Sequence, residues 1–300
     1  MDIYEKVTER IIAELESGVI PWTKPWTGVT SGAISHITGK PYSLINQFLL
    51  GSLGEFLTFE QAKKENGHVK KGAKSKMAVF CKTVHRTKTD ADGQIVRDDN
   101  GMPVDSPYMV LRYYPLFHLS DCEGIEAKWP QEKPIPTASP VECAEAVMDD
   151  YAKRARLTVE HKRQSQAYYS PRRHLVSLPM MEQFQDSVGY YDTAFHEITH
   201  STGHYTLLNR FDVNAGAAAF GSASYSKEEL IAEIGACAIL HELGLETQAS
   251  FRNNAAYIQS WLRALKNDKH MIIQAASKAE KAVKLVFGIM EVPSTGNQVS

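Results

Sequence analysis

Five consecutive residues, His196-Glu197-Ile198-Thr199-His200, constrain this chain more than any other feature. They spell H-E-x-x-H within residues 190–202, a stretch with no proline. On a helix, positions i and i+4 share a face one turn apart, so two imidazoles at this spacing reach one metal ion. Glu197 stands on the flank, placed to take a proton from a water. Eleven histidines in 300 residues make a chance occurrence common enough that a third ligand has to be sought.

Two places compete for that ligand. The continuation through Gly203 matches the start of H-E-x-x-H-x-x-G-x-x-H, but the last position is Thr206 and His204 falls two residues early. Downstream, a helical pattern capped near Ser226 carries Glu229 and Glu233 at i and i+4, beside the small residues Ala232 and Ala236. Small side chains let one helix approach another closely. The reading takes Glu229 as the third ligand and Glu233 as the carboxylate that accepts a ligand imidazole's second N–H. His196, His200 and Glu229 then leave a fourth position open, as catalytic zinc requires. Zn²⁺ is the expected metal, with Mn²⁺ or another divalent ion as the alternative. Tyr205 and Tyr225 are candidates to stabilise an oxyanion, and His161, His174 and His241 read as surface or packing residues.

Around this motif the chain reads as α+β in two domains. Hydrophobic residues make up 43% and charged residues 23%, which excludes wholesale disorder. Residues 1–128 mix helices (1–17, 44–50, 58–65) with strands (77–84, and a strand pair over 108–119) around a polar tip at 88–107. Pro130, Pro134, Pro136 and Pro140 mark residues 129–140 as a linker. Residues 141–300 hold a helix over 141–156, a hairpin over 166–178, helices over 190–202 and 227–243, and two more in 252–287. Cys81, Cys122, Cys143 and Cys237 form no metal pair and read as reduced, mostly buried thiols. No apolar run approaches the roughly 18 residues that span a bilayer, and the acidic, polar start Met1-Asp2-Ile3-Tyr4 leads us to expect no secretory signal. A cytoplasmic protein with no membrane partner is expected.

A second constellation lies in the front half. Residues 60–88 hold nine Lys and Arg against two Glu, a local charge of +7 in a chain whose net charge is −2. Lys70, Lys71, Lys74 and Lys76 cluster there and would attract phosphates. Trp22, Trp26 and Tyr42, with Tyr113 or Tyr114 on a strand, read as exposed rings able to stack unpaired bases. Rings beside a cationic run suit single strands. No helix-turn-helix or zinc-finger spacing supports reading of a duplex.

The motifs in this order resemble the ArdC antirestriction proteins over nearly the full length. In the front half these are Gly18-Val-Ile-Pro-Trp22-Thr-Lys-Pro-Trp26, Pro41-Tyr42-Ser-Leu-Ile-Asn46, Phe56-Leu-Thr-Phe59-Glu-Gln-Ala-Lys63 with Gly67-His-Val-Lys70-Lys-Gly72, and Leu116-Phe117-His118-Leu119. The same module resembles the N-terminal region of some plasmid primases. In the rear half they are Tyr168-Tyr169-Ser170-Pro171, His196 to His204, and Glu228-Glu229-Leu-Ile-Ala-Glu233-Ile-Gly235. Ser43-Leu44 departs from the glycine that many relatives carry there, and Ser35-His36 has no assigned role. The resemblance implies a single-stranded-DNA-binding domain at 1–128 and a zincin-like metallopeptidase domain, of gluzincin type, at 141–300. It implies protection of incoming plasmid DNA from host restriction during conjugation. Three accounts stay open: an antirestriction DNA binder with a structural metal domain, a DNA-guided peptidase acting on restriction subunits or DNA-bound proteins, and a plain cytosolic peptidase.

Overall fold

Helix α1 (Ile3–Glu16) opens the fold with a reciprocal cap: Glu5 N donates to Asp2 Oδ1 at 2.8 Å and Asp2 N donates to Glu5 Oε2 at 2.9 Å. Val7, Ile11 and Leu15 recur every fourth residue and are buried together. The computed structural model describes residues 2–23, 32–129, 139–211, 223–245 and 255–291, apart from positions 91, 99 and 107. A short 3₁₀ turn over Pro21–Thr23 follows α1.

The front half is built on a sheet ordered β1-β2-β5-β4: β1 (Ala33–Ser35) parallel to β2 (Gly54–Leu57), then β5 (Tyr108–His118) and β4 (Lys76–Val84), both antiparallel to their neighbours. Residues 108–118 form one long strand rather than the expected pair. Helix α2 (Leu44–Leu50) is buried along its whole length. Its amides replace strand partners: Val79 N donates to Asn46 Oδ1 at 2.7 Å and Asn46 Nδ2 donates to Val79 O at 2.8 Å. Gln47 does the same at Ala33 (2.7 and 3.1 Å), so the buried polar side chains of this helix pin β4 and β1. Helix α3 (Phe59–Lys64) and the small sheet of β3 (His68–Val69) with β6 (Cys122–Glu123) complete this half.

Helix α4 (Pro140–Ala155), capped by Ser139, opens the rear half. A three-stranded sheet runs β7-β9-β8, with β9 (Leu175–Pro179) parallel to β7 (Thr158–Lys162) and antiparallel to β8 (Tyr168–Ser170). β7 was not expected, because its Thr-Val-Glu-His-Lys sequence shows neither an apolar run nor a turn signal. Helices α5 (Ser187–Ser201), α6 (Ala223–Glu242), α7 (Ala255–Asn267) and α8 (Met271–Val286) follow. Ser226 lies inside α6 with its hydroxyl 3.1 Å from Ser260 Oγ, not at the cap.

One buried cluster runs through both halves, from Val7 and Phe48 to Trp261 and Val286. Trp22 belongs to it. Its ring is 0% exposed and meets Trp261 edge-on at 5.5 Å and Phe48 at 6.1 Å. This corrects the expectation of an exposed stacking ring: the Pro-rich loop buries its tryptophan because a distant helix supplies the other side. Polar ties follow the same seam. Thr8 Oγ1 donates to Lys269 O at 2.8 Å, Lys269 Nζ reaches Glu5 at 2.9 Å, and Leu44 N donates to Glu280 Oε2 at 3.0 Å. Among the described residues no helix is long and apolar enough to cross a membrane. Trp22→Ala is expected to cost about 3–5 kcal/mol. Hydrogen exchange should then show lost protection in α7 as well as in α1; loss confined to the front half would contradict a shared core.

Candidate metal centre

Asp186 caps α5 by accepting from Gly189 N at 2.8 Å, and the helix then runs unbroken to Ser201. His196 and His200 project from one face with their Nε2 atoms 3.2 Å apart. Helix α6 crosses against α5 at Gly235, where a Cβ would lie 2.5 Å from Thr199 Cγ2 and 2.9 Å from Thr199 Oγ1. Thr199 cannot yield, since it is buried and its hydroxyl donates to Phe195 O at 2.7 Å. This closeness brings Glu229 over both rings, 3.5 Å from His196 Nε2 and 3.5 Å from His200 Nε2.

His196, His200 and Glu229 each offer a ligand atom, and these atoms lie within 4.8 Å of one another. Bonds of about 2.0–2.1 Å at tetrahedral angles separate neighbouring ligand atoms by about 3.4 Å. The 3.2 Å separation of the imidazoles fits that edge length, and each imidazole has its own Glu229 oxygen at 3.5 Å, Oε2 for His196 and Oε1 for His200, so the carboxylate can join them around a divalent metal. Two imidazoles and a carboxylate are also the right donor types.

Outer contacts fix each ring. Glu233 Oε2 stands 3.6 Å from His196 Nδ1. Glu228 Oε1 stands 3.3 Å from His200 Nδ1, and sequence reasoning missed it. Glu228 is itself gripped by Arg210, whose Nη2 donates to Oε1 at 2.8 Å and whose Nε donates to Oε2 at 3.2 Å. The Arg210 side chain is 4% exposed and is anchored by Thr202 Oγ1 at 2.7 Å and Thr199 O at 2.8 Å. The only hint in the sequence was a third carboxylate adjoining Glu229; nothing marked Arg210.

Charge states follow from this packing. Burial works against the Glu229 carboxylate, but the two imidazoles outweigh it and hold its pKa well below the usual range. Burial likewise opposes ionised Glu228, and His200 with Arg210 overcomes it. His196 is pushed the other way: burial lowers its pKa, but Glu229 and Glu233 raise it well above the ordinary value. Glu197 is half-buried and makes no hydrogen bond or ion pair among the described residues, which leaves its carboxylate available.

The competing third ligand lies outside the cluster. His204 stacks on His174 with ring centroids 4.0 Å apart, and its Nδ1 is 2.7 Å from Thr206 Oγ1. Tyr205 is exposed with its ring against His204, and the side chain of Tyr225 lies outside the described residues.

The front-half candidates are scattered. Trp22 is in the core, as above, and Trp26 lies outside the described residues. Tyr42 is half-buried, and burial pushes its phenol up to about 12. Lys70 is exposed, with Nζ donating to Ser120 O at 2.8 Å. Lys71 and Lys74 are exposed without an acidic partner among the described residues. Lys76 is different: its Nζ donates to Leu50 O at 2.6 Å and Ser52 Oγ at 2.9 Å, so it caps the C-terminal end of α2 rather than standing free for a phosphate.

Comparison with known proteins places both halves. Residues 1–117 match the family described as the N-terminal domain of anti-restriction factor ArdC, and residues 146–278 match a zincin-like metallopeptidase family. A DNA primase TraC of Escherichia coli is 35% identical over 294 residues, 95% of this chain. The chain spans 27% of that primase and 19% of a second TraC. The metal-free crystal structure of the antirestriction ArdC protein from plasmid R388 superposes with a TM-score of 0.71 at 33% identity, over 95% of this chain and 97% of that one. Its Mn(II)-bound structure gives 0.70 at 31% identity, over 99% and 100%.

Two substitutions test the centre. Glu228→Gln removes the charge behind His200 and should weaken metal binding about 10–100-fold, measured against a chromophoric chelator. Gly235→Ala should lower stability by about 1–3 kcal/mol despite the better helix propensity of alanine, and should weaken metal binding with it. Wild-type affinity in Glu228→Gln, or a stabilised Gly235→Ala, would refute this account of the geometry.

Proposed function

The chain belongs to the ArdC family of antirestriction proteins, and from that premise we propose that it binds single-stranded DNA with its front half and protects incoming plasmid DNA from host restriction during conjugation. The observation that carries this reading is the match to an antirestriction protein across 97% of that protein's length. The +7 charge of residues 60–88 supports it, because Lys71 and Lys74 stand exposed and open to phosphates.

The rear half would act as a metallopeptidase-like unit, with Zn²⁺ or Mn²⁺ held by His196, His200 and Glu229. When bound, a divalent metal supplies Lewis-acid polarisation at this centre. The chain's own residues set the rest. Glu233 and the Glu228–Arg210 pair keep the two imidazoles turned toward Glu229. Glu197 would receive a proton from water at its carboxylate. That unpartnered carboxylate favours a second reading, in which the protein hydrolyses peptide bonds in restriction subunits or DNA-associated proteins.

Restriction protection of a transferred plasmid, measured for wild type, Glu197→Ala and a Lys70→Glu/Lys71→Glu/Lys74→Glu variant, tests both readings. Protection should vanish with the charge reversal and survive in Glu197→Ala. Loss in Glu197→Ala, with folding and metal content intact, would instead establish the hydrolytic reading. Full protection by the charge-reversed protein would overturn the DNA-binding one.

A further inference from the structure

Strand β4 pairs with β5 so that Ala78 opposes Tyr114, Phe80 opposes Arg112, and Lys82 opposes Val110. Directly opposed residues, and alternate residues along each strand, share one face of a sheet. The other face is covered at its centre, where Val79 and Leu111 are in the core; toward its edge Tyr113 is 51% exposed, with Lys6 Nζ 5.7 Å from its ring centroid. On the first face only the inner end is covered. Ala78 and Leu116 are buried there with Ala33 and Phe56, and Tyr42 packs on that cluster.

Beyond Tyr42 the face is open. Phe80 is 39% exposed and Tyr114 is 41% exposed. The three rings form a continuous series, with Tyr42 to Phe80 at 6.0 Å and Phe80 to Tyr114 at 5.3 Å. Arg112 and Lys82 flank them, exposed and without an acidic partner among the described residues. Lys71 and Lys74 lie just ahead of β4 and extend the positive field.

An open phenylalanine beside an open tyrosine places adjoining ring surface in water, where it is available for stacking. Unpartnered cations on both sides select a polyanion over an apolar partner. A duplex hides its base faces in its own stack, so a ring series of this kind serves unpaired bases. Resting on the DNA-binding reading above, we propose that single-stranded DNA lies across the outer face of β4 and β5. Phe80 and Tyr114 stack its bases, Tyr42 closes the end of the series, and Arg112 and Lys82 hold its phosphates. The buried Trp22 takes no part in that surface.

The test is fluorescence anisotropy of the full chain with a labelled 20-nucleotide oligo-dT strand, at several salt concentrations. Phe80→Ala/Tyr114→Ala should bind about tenfold more weakly or worse, with the wild-type salt slope, because stacking is not ionic. Arg112→Glu/Lys82→Glu should lose affinity and flatten the slope. Should the alanine pair fail to fold by circular dichroism, Phe80→Leu/Tyr114→Leu keeps the apolar bulk without a π face and should weaken binding similarly. Photocrosslinking to a 5-iodouracil strand should label the peptides of β4 and β5. Wild-type binding with undiminished affinity in the ring variants would overturn the inference and leave the DNA-binding reading standing. The inference falls in the same way if wild type dimerises through this face and the ring variants are monomeric. Equal binding of a duplex, lost in the same variants, would also overturn it. Absence of any salt-sensitive binding by wild type would bring down the DNA-binding reading, and this inference with it.

Discussion

Helices α5 and α6 lie so close that a single methyl group at Gly235 would press to 2.5 Å from Thr199 Cγ2. The metal centre depends on that contact. A glutamate side chain is short, and Glu229 must span two imidazoles at once, so its helix has to sit against theirs. Ala232 and Ala236 on the same helix are also small and buried. The same packing delivers Glu228 and Glu233 to the outer nitrogens of the two rings. Arg210 then locks Glu228 from beyond the end of α5. A buried array of three carboxylates would repel itself; here the imidazoles and one guanidinium balance it, and a bound cation would balance it further.

The helical parts of this site were legible because helix spacing is periodic. His196 and His200, and Glu229 with Glu233, are each pairs that a period of 3.6 places on one face. Glu228 was not legible, because its neighbour claims the expected direction and only the crossing of α6 over α5 decides which carboxylates reach inward. Arg210 follows a turn with no periodic relation to either helix. In the front half, composition misled in two ways. Trp22 sits in a sequence that reads as a loose loop, and its burial comes from Trp261 at the far end of the chain. Lys76 counts as one more positive charge, yet it serves as a helix cap. Alternation marked β4 as a strand, but the order of strands in the sheet decides which of its faces is left open.

The shared core gives the two halves a fixed relation. Helix α1 and the 3₁₀ turn after it pack on α7, and Glu280 of α8 accepts the first amide of α2. The two halves are therefore joined by a continuous apolar core as well as by the chain between them.

Anomalous diffraction from crystals of the protein loaded with Zn²⁺ or Mn²⁺, collected at the metal's absorption edge, tests the central claim most directly. The account predicts one peak per chain, bonded to the Nε2 atoms of His196 and His200 and to the Glu229 carboxylate at about 2.0–2.2 Å. A peak held by other side chains, or none at the α5–α6 crossing, would contradict it.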